Sequence, residues 1–480
     1  MFLKSYTDAP KRRKTHIIDA TLREGAQAPG VTFNVEQSVE IARALMLIGV
    51  DTVEIGHPYV SCHEFQRVKV VVDCIGGEKV LAHARAQAVD IEAVKNTGAH
   101  WVGIFIGINP LSRAVKFKNR SVDEMLEMAS SAIKYAHSLS LKVRFTVEDS
   151  SRTDIGLLLK AYNMAMDHGV ARLCYSDSVG IAEPNLLYQV IKHIHTVLSP
   201  SNFEVHCHND RGMAVANTLA AFDAGANWAS SSVNGIGERT GIADTITMMS
   251  NLYYKYQRAL KNTSLFQSVG ELVKSITRSD LEHRQPIIGK YAFTHTSKLH
   301  QKFVKINSEA YEWISPEIFN RSHKFHQKSL SNDPATWIIK PPIISATELK
   351  YHRHGPGDRH VMIDDRFVQD CRCYCIVRTV KEVKSQDVSH VDSHRHNVDS
   401  LFLFLGSKDQ MTGLTVKVFL DDVEFEVESP VSVFIPAGIK HTYKFISGSG
   451  MFINHVYSGN YNDSLLEPVA VLEELKEKVA

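Results

Sequence analysis

The chain has 480 residues, with 54 Lys and Arg against 53 Asp and Glu and a net charge of +1. That balance excludes a strongly basic nucleic-acid binder. A composition of 44% hydrophobic and 22% charged residues is that of an ordinary globular protein, with no run near the roughly 18 apolar residues that a membrane span needs. Seven cysteines, scattered except for the last three and with no apolar signal segment before them, point to a reduced cytoplasm, and the basic run Lys11-Arg12-Arg13-Lys14 reads as a solvated chain start. The 24 histidines direct attention to metal sites.

From His16 to Tyr256, short β-rich apolar runs alternate with longer amphipathic ones, the pattern of parallel strands joined by helices. Strands are expected at 16–21, 50–57, 79–84, 101–106, 142–149, 171–178, 202–208 and 228–234. Eight such strands predict a (β/α)8 TIM barrel over 1–256. Between the first two strands, Asn34 with Gln37 forms an N-terminal capping pattern, and Gly49 ends that helix. No G-x-G-x-x-G opens an early helix, which ranks a dinucleotide fold below the barrel. Residues 257–345 read as a helical subdomain ending in a linker at Pro341-Pro342. Beyond 346 the period falls to two: Leu414, Val416, Val418 and Leu420, a turn at Asp421-Asp422, then Val423, Phe425 and Val427 predict an antiparallel hairpin. With further runs at 373–380, 400–405 and 431–435, residues 346–480 form an all-β barrel.

Asp19, Arg23, Glu24, Glu54, His57, Arg85, Glu148, Asp177, His206, His208 and Asn234 fall at or just past strand C-terminal ends, the catalytic face of such a barrel. In HCHND, His206 and His208 lie two apart on a strand, so both point to one face and can share a metal ion. The segment DATLREG, following the first strand, supplies Glu24 with Arg23 and Asp19. Two histidines and a carboxylate leave positions open for a substrate. Arg85 is open to two readings, a partner for a substrate carboxylate or a barrel-mouth ion pair. Glu148 can pair with Arg152. Asp177 reads as a hydrogen-bond anchor, Asn234 as a support for the following loop, and Cys207 as core.

The segments DATLREGAQAPG (19–30), VEIGHP (53–58), EDSSRTD (148–154), SDSVG (176–180), HCHNDRGMAVAN (206–217) and NGIGERTG (234–241) resemble the DRE-TIM metallolyase family, in its branch of homocitrate and isopropylmalate synthases. The similarity continues through PIIGKYAFTHTSKLH (286–300) and YEWISPE (311–317). It implies a Claisen-type condensation of acetyl-CoA with a 2-oxo acid held on a divalent metal (Mg, Mn or Zn), followed by CoA release. It places the metal on Glu24, His206 and His208, gives Arg23 the developing oxyanion, and gives Glu148, His300 and Tyr311 the acetyl methyl proton. Gln27, His57, Arg85 and Ser178 would surround the substrate. It further implies a homodimer in which His300 reaches the partner's barrel. Ala26, Ser178, Lys298 and Ile242 depart from the usual family pattern; Glu24 and Ile242 lean toward the homocitrate branch, and Arg85 with His57 favours 2-oxoglutarate or oxaloacetate. The rival readings are an acyl-CoA lyase of the HMG-CoA lyase type and a non-catalytic scaffold or sensor.

HRHNVDSLFLFLG (394–406) and PAGIKH (436–441) resemble the paired motifs of cupins. This implies a second metal, Fe, Mn, Zn or Ni, on His394, His396, Asp399 and His441. Cys371, Cys373 and Cys375 alternate along a strand and read as a small-residue sheet face.

Overall fold

A computed structural model describes residues 13–278, 283–325, 338–368, 371–383 and 390–466. The chain divides into two compact units, Met1–Val273 with Leu281–Lys324, and Lys274–Asp280 with Phe325–Ala480. The stretch expected as a separate helical subdomain, 257–345, is thus shared between them.

In the first unit, eight parallel strands close into a barrel: β1 His16–Asp19, β2 Thr52–Glu54, β3 Val80–Arg85, β4 Trp101–Ile106, β5 Lys142–Val147, β6 Arg172–Asp177, β7 Phe203–Cys207 and β8 Trp228–Ser231. Closure is made by β1, whose Ile18 is opposite Thr52 on one side and Ser230 on the other. All eight expected strands form. Several end earlier than their apolar runs suggest, because the polar residues that follow fold into turns. After β1 the buried Asp19 carboxylate accepts from the Thr21 N–H at 2.8 Å and from the Thr245 hydroxyl at 2.6 Å, and the Arg23 and Glu24 N–H groups both return to the Ala20 carbonyl. That turn aims Arg23 and Glu24 over the barrel mouth.

The connecting helices start and stop where local chemistry dictates. Asn34 and Gln37 close a reciprocal capping box at the start of the helix Val35–Ile48, and Gly49 ends it with φ of 91°, a conformation that costs a residue with a Cβ far more than glycine. Ser121 and Glu124 repeat the box ahead of the helix Val122–Ser138. After the barrel come the helices Phe266–Thr277 and Lys298–Val304 and a two-stranded ribbon, β9 Thr294–His295 with β10 Lys324–Phe325.

The barrel interior is not uniformly apolar. Arg172 on β6 pairs with Glu204 on β7 at 2.9 Å, Glu204 with Arg144 on β5 at 2.8 Å, and Arg144 with Glu54 on β2 at 2.8 Å. Glu54 then meets Arg23 at 3.2 Å, and Arg23 meets Glu24. Arg144, Arg172, Glu54 and Glu204 are all at most 2% exposed. At the lower end the Arg172 guanidinium lies 3.4 Å from the centre of the Trp228 ring.

The second unit is an antiparallel sheet structure of seven strands: β11 Arg359–Ile363, β12 Tyr374–Val383, β13 Ser400–Gly406, β14 Leu414–Leu420, β15 Val423–Glu428, β16 Val431–Ile435 and β17 His441–Val456. The sixteen-residue β17 pairs with β12, β13 and β14, so one strand organises the unit. Its core is aromatic, with Phe402, Phe404, Tyr443, Phe445 and Phe452 all at most 3% exposed. The expected hairpin is β14 with β15, turning at Asp421-Asp422. Its second strand does not contribute to the core: Val423 and Phe425 are about half exposed. Among the described residues, no helix is long and apolar enough to cross a membrane.

The alternating charges of the barrel interior lead to a stability prediction. Replacing Glu204 by Ala leaves the buried Arg172 without its carboxylate and Arg144 with Glu54 alone, and we expect a loss of about 3–5 kcal/mol in denaturant unfolding of the full chain. An unchanged midpoint would mean that water screens these pairs.

Candidate active site

A cavity of about 700 Å³ opens at the C-terminal ends of the barrel strands. On its wall the Glu24 carboxylate lies 3.8 Å from His206 Nε2 and 3.8 Å from His208 Nε2, and the two imidazole nitrogens are 3.4 Å apart. All three residues are buried. Burial, the neighbouring His208 and Arg23 push His206 down to about 3, so its ring is neutral at physiological pH. Burial opposes the charge on Glu24, but its neighbours, the Arg23 guanidinium foremost, hold the carboxyl at about 2. The result is an ionised carboxylate facing two neutral imidazoles. His206 Nδ1 is fixed by the Ser230 hydroxyl at 2.9 Å, while His208 Nδ1 is buried without a partner. These ligand atoms all lie within 4.8 Å of one another, and the mixed N and O donor set fits a divalent ion. The following loop packs directly on the carboxylate: the Glu238 N–H donates to Glu24 at 3.2 Å, and a Cβ on Gly237 would stand 2.8 Å from Glu24 Cγ.

The other residues singled out from sequence are placed unequally. Gln27, His57, Ser178, Arg23 and Glu148 line the cavity. Glu148 does not pair with Arg152. Its carboxylate accepts from Lys116 at 2.6 Å, while Arg152 grips Asp149 at 2.9–3.0 Å. Asp149 holds a left-handed backbone, φ 56°, fixed by Asn109 Nδ2 on its carboxylate at 2.7 Å and by its own N–H on Ser178 Oγ at 2.9 Å. Strain of this kind, over-determined by its neighbours, fixes the direction of the adjacent Glu148.

Arg85 does not line the cavity. Its guanidinium is bidentate on Asp90 at 2.7 and 3.0 Å, which is the ion-pair reading of the two open from sequence, and His57 Nε2 shares the same carboxylate at 2.8 Å. His300 and Tyr311 stack on each other with ring centres 3.9 Å apart, and neither lines the cavity of its own chain. Asp177 accepts from the Ser151 hydroxyl and from the Ile181 and Ala182 N–H groups, as an anchor does. Asn234 Nδ2 donates to the Gly270 carbonyl at 2.8 Å, and Cys207 is fully buried.

Sequence reasoning missed His83, Lys116 and Arg144, all on the cavity wall. Period two carried a signal for Arg144, because it shares a strand face with Thr146 and lies four residues before Glu148. His83 lies two residues before Arg85. Its ring meets both Glu54 and Arg144, and burial pushes it down to about 4.

In the second unit, His394, His396 and His441 converge, 6%, 2% and 2% exposed, with ligand atoms within 4.8 Å of one another. Their tautomers follow from their neighbours. His394 Nδ1 faces the Asp392 carbonyl at 2.8 Å and His441 Nδ1 the Ile439 carbonyl at 2.9 Å. A carbonyl only accepts, so both nitrogens carry the proton. His396 Nδ1 meets Ser464 Oγ at 2.7 Å; that hydroxyl spends its own proton on the Tyr461 carbonyl and so accepts here too. All three Nε2 atoms are therefore lone pairs aimed at one point, and that of His396 has no partner.

Asp399 is not in this cluster. It stands one residue before β13, and its carboxylate accepts from the Ala437 N–H at 2.8 Å. The group that does reach the cluster is Tyr461, whose hydroxyl is 2.7 Å from both His394 Nε2 and His352 Nε2. Cys371 and Cys373 bring their sulfurs to 3.9 Å, but among the described residues the cysteines belong to no group of metal-ligand spacing.

Comparison with known proteins agrees with the barrel geometry. A family model described as HMGL-like matches residues 14–273. A homocitrate synthase of Pyrococcus abyssi is 40% identical over 310 residues, covering 65% of this chain and 85% of that protein. One from Sulfurisphaera tokodaii is 35% identical over 316 residues, covering 65% and 68%. Among solved structures, the HMG-CoA lyase of Bacillus subtilis superposes with a TM-score of 0.51 at 20% identity, covering 57% of this chain and 96% of that one, a likeness of fold. With a family model over more than half of its length and relatives at this identity, the chain belongs to the HMGL-like family, in the branch of the homocitrate synthases.

Proposed function

We propose that the barrel unit is an acyltransferase that condenses acetyl-CoA with a 2-oxo acid and releases CoA. The observation that carries this reading is the convergence of Glu24, His206 and His208 beside Arg23 in a stretch of 310 residues that is 40% identical to a homocitrate synthase. Glu24, His206 and His208 would hold a divalent metal, Mg, Mn or Zn, which supplies Lewis-acid polarisation of the keto group when bound. Arg23 sits between Glu54 and Glu24, both of which reinforce its charge, so a permanent cation meets the oxygen on which negative charge develops. Glu148 is the base in reach of the cavity, with Lys116 balancing its charge, and takes a proton from the acetyl methyl group. The enolate then adds to the keto carbon, and water cleaves the thioester to leave free CoA. A second carboxylate on the 2-oxo acid, as in 2-oxoglutarate or oxaloacetate, would meet the part-exposed cations Lys116 and Arg152 on the cavity wall rather than Arg85.

His300 and Tyr311 fit this scheme as a pair delivered by a partner subunit in a homodimer, since their stack lies outside their own cavity. Lyase chemistry of the HMG-CoA type is the second reading. It has a fold likeness at 20% identity behind it, against 35–40% identity to synthases over a match some 50 residues longer than the family model. In the second unit, the three fixed lone pairs of His394, His396 and His441 favour a cupin-like metal centre for Fe, Mn, Zn or Ni.

CoA release from acetyl-CoA with a panel of 2-oxo acids tests the main reading. We expect metal-dependent release with a dicarboxylic 2-oxo acid, and a fall of about a hundredfold or more for His206→Ala with its circular dichroism unchanged. Acetyl-CoA formation from a 3-hydroxyacyl-CoA, with no condensation, would establish the lyase instead. Sharing of sites is tested separately by mixing inactive Glu24→Ala and His300→Ala chains. Recovery of activity is expected, up to about one quarter of wild type for random exchange in a dimer. No recovery after demonstrated subunit exchange places His300 in its own barrel or outside catalysis.

A further inference from the structure

In the interior of the second unit, one charge has no partner of opposite sign among the described residues. On β12, Tyr374, Ile376, Arg378 and Val380 alternate onto the buried face, and Arg378 is 3% exposed. Directly opposite it on β11 is Arg359, also 3% exposed, so two guanidiniums sit on the inner faces of paired strands where like charges repel. Arg359 is fully engaged. It donates to the Ile344 and Ser345 carbonyls, to Glu348 at 2.9 Å and to the Tyr374 hydroxyl. Arg378 has no carboxylate within ion-pair distance and no hydrogen-bond acceptor among the described residues, and its Nε is buried without a partner. A buried cation is costly to a fold unless a counter-charge reaches it, and a bound anion is one such counter-charge.

The surroundings of Arg378 connect it to the histidine cluster. Across the sheet it faces Phe452 on β17; the Phe452 ring is 5.2 Å from Phe402, which is 5.6 Å from His441. Gly355 passes over the guanidinium so closely that a Cβ there would stand 2.8 Å from Nη1. The His352 ring centre lies 5.8 Å from that of His394, and the same Cβ on Gly355 would stand 2.5 Å from His390 Cδ2, so the His390 ring lies beside the Arg378 guanidinium. His352 Nε2 in turn shares the Tyr461 hydroxyl with His394 Nε2. If a metal took the His394 lone pair, the Tyr461 hydroxyl would keep His352 Nε2 as a hydrogen-bond partner.

We propose that the second unit binds a small organic carboxylate between a metal on His394, His396 and His441 and the guanidinium of Arg378, with Tyr461 as a positioning residue beside it. The proposal rests on the three-histidine metal reading, and the test separates the two. A full-length His206→Ala, His208→Ala chain, which lacks the barrel ligands, is loaded with Co(II) and titrated with 2-oxoglutarate and with citrate while the cobalt absorption is recorded. We expect one Co(II) per chain, a spectral change on adding at least one acid, and about tenfold or greater weakening in Arg378→Gln with partial recovery in Arg378→Lys.

No bound cobalt overturns the metal reading and this proposal together. Bound cobalt with no response to either acid, or equal affinity in Arg378→Gln, overturns the carboxylate proposal alone. Thermal unfolding gives a second readout. Arg378→Met, which removes an unpaired buried charge, is expected to melt higher than the parent without ligand and to lose the rise in Tm that the acid produces. A lower Tm in Arg378→Met would show that the guanidinium serves the fold, and would overturn the proposal as well.

Discussion

The barrel depends on one arrangement: a single file of alternating charges, Arg172, Glu204, Arg144, Glu54, Arg23 and Glu24, running from the Trp228 ring to the candidate metal ligands. None of these groups could be ionised alone in a closed barrel, because each loses its water on folding. In alternation each is held by the next. Burial raises a carboxyl, yet Arg144, Arg23 and His83 keep Glu54 well below its ordinary range. The file draws on β6, β7, β5, β2 and the turn after β1, so it fixes the relative positions of strands that are not all neighbours in the sheet. Arg23 and Glu24 are its last two members. Their charge and orientation are thereby set in part by Glu54, Glu204 and Arg172, which do not line the cavity.

Much of this was legible in the sequence, and the reason is periodicity. Eight apolar runs with helical spacers specify a barrel, and the HCHND and DATLREG segments place ligands at strand ends, because a strand shows one side to the barrel mouth whatever its neighbours do. The file of charges was not legible. Arg144, Arg172 and Glu204 lie inside runs that read as apolar strands, and their pairing exists only once closure brings residues 54 and 144, or 144 and 204, within 3 Å. The same limit explains the second unit. The histidines were visible as paired motifs, while His352 and Tyr461, 109 residues apart, meet only through the folded sheet. Asp399 failed for a local reason: spacing in sequence says nothing about whether a carboxylate turns toward a cluster or back to a loop N–H, and here it turns back to Ala437.

The two candidate metal sites solve the same problem differently. Both keep imidazoles neutral by burial, and His206 in the barrel and His394, His396 and His441 in the sheet are fixed through Nδ1, whereas Nδ1 of His208 has no partner. The barrel site adds an anion, Glu24, and takes that anion's charge from a file of ion pairs. The sheet site has no carboxylate among its converging donors and is flanked instead by Tyr461 and His352, with arginines on the same interior. A metal in the first site would find its charge partly neutralised by the protein, whereas one in the second would leave that balance to whatever binds.

The exposed strand β15 has a bearing on how the molecule behaves among its own copies. Among the described residues its one partner is β14, so its outer edge presents free backbone donors and acceptors beside the half-exposed Val423 and Phe425. Such an edge invites strand addition from another chain. Glu424, Glu426 and Glu428 occupy alternate positions along it, and two copies aligned edge to edge would set these carboxylates against one another. The repulsion acts as a gatekeeper against sheet-to-sheet aggregation, and because it is a repulsion between exposed charges, salt screens it, so high ionic strength lowers this guard.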